Sequence, residues 1–221
     1  MSEKRRGKLV AVIGLDGSGK TTLARGLVEE LQAHGYRAVY VHGWPQLFSP
    51  RSPRSSVARE RGEEEGRGKG AREDFRLPGW RAWGLFFLML CMFKLRLPRL
   101  LRRYEFVICD RFVHDVVTYL RLRGQRRPAA WLLRAGASLK PEAIFWLRVP
   151  VEVLAERKGS ELEHPPSVYS RWDRLYEEAI NVTPWGRCTH RLSGLQAPQE
   201  VLSEALGRLG LRAEGGPLTG S

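Results

Sequence analysis

Residues Gly14-Leu-Asp-Gly-Ser-Gly19-Lys20-Thr21 satisfy the pattern G-x-x-x-x-G-K-[ST] in full, and few eight-residue strings restrict a fold so tightly. Glycines at 14, 17 and 19 let the backbone wrap closely, so that consecutive N–H groups point at one centre. Such a loop must be entered from a strand and left by a helix whose positive end completes the anion nest. The flanking residues comply. Leu9-Val-Ala-Val-Ile13 is a short β-branched apolar run, suited to a strand buried on both faces. From Lys20 the period changes: Leu23, Leu27 and Leu31 recur at helical spacing, and Gly35 after His34 marks the stop.

Further strands are expected at Ala38–Val41, at Phe106–Cys109 ending on Asp110-Arg111, at Ala143–Leu147, and more weakly at Cys188–Leu192. Pro150 is expected as the first residue of a helix, and Ala197-Pro198-Gln199-Glu200 opens the last one. Strands separated by helical patterns imply parallel βαβ units. The expected architecture is therefore α/β, a three-layer fold of the phosphate-loop NTPase kind, with a five-stranded parallel sheet flanked by helices and a small lid. Residues 1–212 read as a single domain. Within it, residues 50–76 hold almost nothing apolar and read as a mobile insertion. Residues 213–221 read as a disordered tail, and 155–172 as the lid.

The chain has 221 residues and a formal charge of +13, which suggests a phosphorylated partner, an anionic membrane or nucleic acid. Position along the chain narrows the choice. Residues 94–134, with eleven basic and three acidic residues, contribute most of the excess. A basic tail for indiscriminate polyanion binding would look different, so small phosphorylated substrates come first and nucleic acid is set aside as an alternative. Three widely spaced cysteines, Cys91, Cys109 and Cys188, indicate neither a disulfide framework nor a zinc site. The longest apolar run, Ala82–Phe93, is about half the ~20 residues a membrane span needs. A cytoplasmic protein is expected, with a peripheral membrane contact of the basic segment as a secondary use.

The loop assigns roles by physics. Gly14, Asp16, Gly17, Ser18, Gly19, Lys20, Thr21 and Thr22 are the candidate ATP-binding residues. Lys20 reaches β- and γ-phosphates as a mobile point charge, and the Thr21 hydroxyl suits Mg²⁺. Asp110, at the carboxyl end of a strand, lands in the crevice where a parallel sheet receives its ligand, beside the bound metal, and Arg111 projects towards phosphates. Asp115 opens a helix five residues later. It either holds an acceptor hydroxyl or simply serves the helix dipole.

At this point the chain resembles the thymidylate kinase family of phosphate-loop nucleoside monophosphate kinases. Ile13–Thr22, Val107–Val113 and Lys140–Lys158 carry the resemblance, in the right order. It implies transfer of the ATP γ-phosphoryl to a nucleoside monophosphate of the dTMP type, ATP and Mg²⁺ as cofactors, and a homodimer. It further implies that Asp16 helps hold the acceptor sugar, that Asp110 serves the metal's water shell, and that Arg111 clamps phosphates. Family members without an arginine in the loop supply that cation from the lid. Leu15–Gly19 contains none, so Arg157 is the first candidate, with Lys158, Arg171 and Arg174 behind it. The catalytic set is then Lys20, Asp110, Arg111 and Arg157, and the acceptor set Asp16, Arg111 and Asp115.

The acceptor half departs from the pattern. After the second strand the family has Arg-Glu-Pro, where this chain reads Val41-His-Gly-Trp-Pro-Gln-Leu-Phe48. Its Asp-Arg before the third strand is replaced by Leu85–Phe93, and its Ser after Asp-Arg-x-x by His114-Asp115. Divergent thymidylate kinase-like proteins with Asp-Arg-Tyr/Phe-x-x-Asp are the nearer match. Two alternatives remain open: a kinase for a sugar or apolar acceptor, and a nucleotide-binding module that docks its basic surface on nucleic acid or membrane.

Overall fold

The computed structural model describes residues 6–43, 78–159 and 164–211. The expected insertion at 50–76 and the tail at 213–221 lie outside them, as do residues 44–48 after the second strand. Five strands form one parallel sheet in the order β2-β3-β1-β4-β5: β1 (Lys8–Ile13), β2 (Ala38–His42), β3 (Phe106–Asp110), β4 (Ala143–Arg148) and β5 (Thr189–Ser193). All four pairings are parallel. The expected strand cores hold, with ends moved by a residue or two. The fifth loses Cys188, which sits in a short 3₁₀ turn over Gly186–Cys188.

Helices cover both faces. On one lie α1 (Lys20–Ala33) and α8 (Pro198–Arg208), whose Leu23, Leu27, Leu31, Val201 and Leu206 pack with Val10, Val12 and Phe145. On the other lie α2 (Gly79–Cys91), α3 (Leu97–Arg103), α4 (Val113–Leu122), α5 (Arg126–Gly136), α6 (Val151–Lys158) and α7 (Pro166–Asn181). Ala11, Ile13, Cys109, Ile144 and Trp146 face this second layer. Every residue of β1 after Lys8 is buried, as a central parallel strand requires. Each aliphatic side chain so buried contributes roughly 1.5–3 kcal/mol.

Local differences from the expectations have simple causes. Pro150 is not the first helical residue: its ψ of 143° is extended, so it caps α6 and Val151 begins the helix. The apolar 82–93 segment is only half buried. Ala82, Leu85, Phe86 and Met89 enter the core, while Trp80, Trp83 and Phe87 face solvent. The basic segment beyond it passes through a π-helical stretch, Met92–Arg96, into α3, and anchors through Leu97 and Leu101. Among the described residues no helix is long and apolar enough to cross a membrane.

His114 on α4 is fully buried, edge-on to Trp185 with ring centres 5.2 Å apart. Burial pushes its pKa down to about 3. Its folded pKa lies below the unfolded value of 6.5, so the neutral ring stabilises the fold above that value and loses its contribution as pH falls from 6.5 towards 3. Within that window the loss is about 1.4 kcal/mol per pH unit. Urea melts at pH 7 and pH 4.5 are expected to show His114→Phe losing less stability on acidification than the unmodified chain.

Candidate active site

Register places the chemistry. In the β1–β3 ladder Val12 faces Asp110, and Arg111 donates its N–H to the Val12 carbonyl at 2.9 Å. The acidic end of β3 therefore stands beside the loop that leaves β1. Gly14 begins that loop at φ +143°, and a Cβ there would come within 2.4 Å of the Leu147 carbonyl. Only glycine fits both conditions. Gly19 caps α1 in the left-handed region at φ +96°, so α1 starts with its free N–H groups aimed at the crevice.

Within the loop, Lys20 is 5% exposed and donates to the Leu15 carbonyl at 2.6 Å, with Asp16 Oδ1 at 3.4 Å. Burial lowers its pKa, while the Asp16 charge pulls the other way. Thr21 Oγ1 donates to Asp110 Oδ2 at 2.6 Å, and Tyr40 on β2 donates to the same oxygen at 2.7 Å. Burial first, then the bond to Asp110, raises the Tyr40 phenol to about 12, so it remains a donor at neutral pH. Asp110 Oδ1 is buried without a hydrogen-bond partner. Ser18 Oγ is in the same condition.

A buried carboxylate oxygen with nothing to accept from, next to a threonine hydroxyl, is an oxygen-only donor set of the hard kind Mg²⁺ prefers. The residues fit. Among the described residues no group of three or more His, Cys, Asp or Glu could hold a metal alone, so phosphate and water would complete the coordination.

Arg111 is the one described residue other than glycine with a left-handed backbone, at φ 80°. That conformation costs of order 1 kcal/mol. It turns the side chain back over the loop, where Nη2 donates to Asp16 Oδ1. Burial works against the guanidinium charge, but the acidic groups around it, Asp16 foremost, together outweigh it and its pKa lies above the ordinary value. Asp16, Lys20, Thr21, Asp110 and Arg111 thus lie together in one cluster.

The remaining expected residues distribute differently. Asp115 is buried, and both its oxygens are engaged inside the protein: Oδ2 accepts from the Phe112 N–H at 2.7 Å and Oδ1 lies 2.8 Å from Tyr176 Oη. It caps α4 and does not reach the crevice as an open acceptor. Arg157 leaves the cluster: Nη2 donates to the Gly194 carbonyl at 2.9 Å. There it lines a cavity with Ser18, Gly19, Thr22, Leu147 and Gln196. Arg171 and Arg174 are exposed on α7. The Lys158 side chain lies outside the description.

Two tyrosines of this region were not among the candidates. Tyr40 has an alternating strand position and Tyr176 a helical core position, so each reads as packing. Only the long-range pairing of β2 with β3, and the return of α7 beneath the loop, bring their hydroxyls to Asp110 and Gly14.

The fold is that of known phosphate-loop kinases. The chain superposes on a thymidylate kinase from Candida albicans with a TM-score of 0.63 and 18% identity, over 93% of this chain and 92% of that one. No family model and no curated protein sequence matches it.

Tyr40 donates a hydrogen bond to Asp110, and where a carboxylate binds a metal such an outer partner is worth about 10–100-fold in affinity. Tyr40→Phe should raise the Mg²⁺ concentration for half-maximal binding of a fluorescent ADP about tenfold, with an unchanged melting temperature.

Proposed function

We propose that this protein is an ATP-dependent phosphotransferase of the thymidylate kinase type, moving the γ-phosphoryl group to a nucleoside monophosphate. One observation carries the reading. A complete phosphate loop faces Asp110 and Arg111 at the end of the adjacent strand, with Thr21 and Asp110 in contact and one buried carboxylate oxygen left for a cation.

Each residue then has a task. The loop N–H groups and the start of α1 bind the triphosphate. Lys20 exchanges the Leu15 carbonyl for phosphate oxygens, whose negative charge offsets the burial that lowers its pKa in the empty site. Thr21 and Asp110 would hold Mg²⁺, which when bound neutralises charge on the phosphate oxygens. Arg111, tethered by Asp16, presents its guanidinium to the acceptor phosphate, and Asp16 orients the acceptor sugar. Arg157 sits beside Ser18, Gly19 and Thr22, where it covers the nucleotide and reaches the transferring group once its bond to Gly194 is released. Catalysis is positioning plus electrostatic stabilisation.

A sugar or other non-nucleotide acceptor is the second reading. It is favoured by the end of β2, where His42-Gly43 stands and the first following arginine is Arg51. ADP release measured across nucleoside monophosphates, nucleosides and sugars separates the two. Turnover with dTMP or another monophosphate is expected, and Lys20→Ala should reduce it at least ~100-fold. Acceptor-independent hydrolysis together with salt-sensitive binding to DNA or lipid would overturn the kinase reading.

The homodimer belongs to the same proposal. Trp80, Trp83, Gly84, Phe87 and Cys91 form a solvent-facing stripe on α2 opposite its core face, with the Arg81 guanidinium laid over the Trp80 ring at one end. A helix apolar on both sides calls for cover on both, and Gly84 leaves open space for a second helix to approach. Sedimentation is expected to give a dimer that Phe87→Glu dissociates.

A further inference from the structure

Beneath the phosphate loop lies a hydrogen-bond chain whose protons do not add up if every group takes its ordinary state. Tyr176 Oη is 3.0 Å from the Gly14 carbonyl and 2.8 Å from Asp115 Oδ1. Both neighbours are acceptors in their usual forms, and a phenol has one hydrogen to give. Tyr176 and Asp115 are each 1% exposed, so water is not at hand to repair the mismatch. A second proton is needed, and the only group in the chain able to carry it is the carboxyl.

Charge balance points the same way. The groups around Asp115 are Lys20 and Asp16 from the loop, Asp110 from β3, Arg111 from the turn after it, His114 on its own helix and Tyr176 from α7. Lys20 and Arg111 supply two positive charges, and Asp16 and Asp110, in contact with them or with Thr21 and Tyr40, two negative. His114 is neutral through burial. An ionised Asp115 would be a fifth charge, buried and without an ion pair of its own, which is expensive in a low-dielectric interior.

We propose that Asp115 is a neutral carboxylic acid in the folded protein, donating its proton to Tyr176 Oη so that Tyr176 can donate to the Gly14 carbonyl. Phe112 N–H to Oδ2 completes the set, and every donor then meets an acceptor. Burial raises the Asp115 pKa above its ordinary 3.8 despite the opposing pull of Arg111 and Lys20. Burial likewise raises that of Tyr176, so the phenol keeps its hydrogen. Asp115 is thus a positioning residue. Through Tyr176 it fastens α7 to the first residue of the phosphate loop. A second tie runs alongside: Thr118 donates to the Asp115 backbone carbonyl at 3.1 Å, and Trp172 of α7 donates to Thr118 at 3.0 Å. Its consequence for nucleotide binding rests on the phosphate-loop reading above, whereas the protonation itself does not.

Asp115→Asn is the deciding variant, because an amide reproduces the acid: its oxygen accepts from Phe112 and its N–H donates to Tyr176. Infrared spectra of the full chain at pH 7 should contain the carbonyl band of a protonated carboxyl group, absent from Asp115→Asn. A folded-state pKa above the unfolded value means stability is lost as pH rises between the two. The unmodified chain should therefore lose melting temperature relative to Asp115→Asn from pH 4.5 upwards, and its Mg²⁺·ADP affinity should weaken with alkalinity while the variant's does not. No carboxyl band, or a chain that gains stability over Asp115→Asn as pH rises, would overturn the proposal. None of these readouts needs an acceptor or turnover, so their failure is distinct from failure of the kinase reading.

Discussion

Arg111 donates its backbone N–H to the Val12 carbonyl at 2.9 Å, one step beyond the point where Val12 faces Asp110 in the parallel ladder. That bond decides where β3 stops and the turn begins, and with it the direction of two side chains the site cannot do without. A slip of one residue would send Asp110 to the opposite face of the sheet. Thr21 would then lose its partner, and the loop would face apolar side chains. The alternation is protected because β1 and β3 are buried on both faces, so any other register exposes or crowds the core. Strand burial, which carries no chemistry itself, is what holds the chemistry in place.

The site so placed is electrostatically tense. Lys20 is desolvated, Arg111 occupies a left-handed backbone conformation, and buried oxygens of Asp110 and Ser18 have nothing to accept from or donate to. Each of these costs stability. The surroundings leave no cheaper arrangement. Gly43 donates to the Asp110 carbonyl at 2.7 Å and runs so close to Arg111 that a Cβ there would meet its carbonyl oxygen at 2.0 Å. The backbone of Asp110-Arg111 is therefore clamped from β1 on one side and from β2 on the other. The strain cannot relax by local movement, and it persists until a ligand with the complementary charge arrives.

Local chemistry was legible in the sequence wherever it depended on consecutive residues. The glycines of the loop, the β-branched run before it, the leucines of α1 and the Asp-Arg at a strand end all announce themselves by spacing. Contacts made by chain return were not. Tyr176 is 162 positions from Gly14, and its helix shows only an ordinary amphipathic pattern. Asp115 was visible as a helix-start acid, yet whether it faces the crevice or the core depends on where α7 packs, and α7 closes over it with Tyr176 and Trp172. The direction of the Arg157 side chain was hidden for a similar reason. Its position at the end of α6 is plain, but its direction is set by Gly194, supplied by the turn after β5. The 82–93 helix shows the converse limit, since apolarity all round a helix does not say which face the same chain covers.

These features together explain why binding energy and folding energy must be traded at one place. Lys20 with a depressed pKa and a carboxylate oxygen without a donor destabilise the empty fold, and a polyphosphate with its cation would relieve both. A ligand that binds only the folded chain stabilises it by about 2.7 kcal/mol at one hundred times its dissociation constant, of the order of the costs just described. A neutral Asp115 fits this economy. Were it ionised, its charge would lie under the loop in permanent opposition to the incoming phosphates, and Lys20 and Arg111 would spend their field on it. Held as an acid, it serves as a hydrogen-bond donor and leaves both cations to the crevice. The proton at Asp115 is then part of the loop's scaffold in the same sense as the glycine at 14, each occupying the one state that lets the backbone present its N–H groups and nothing negative.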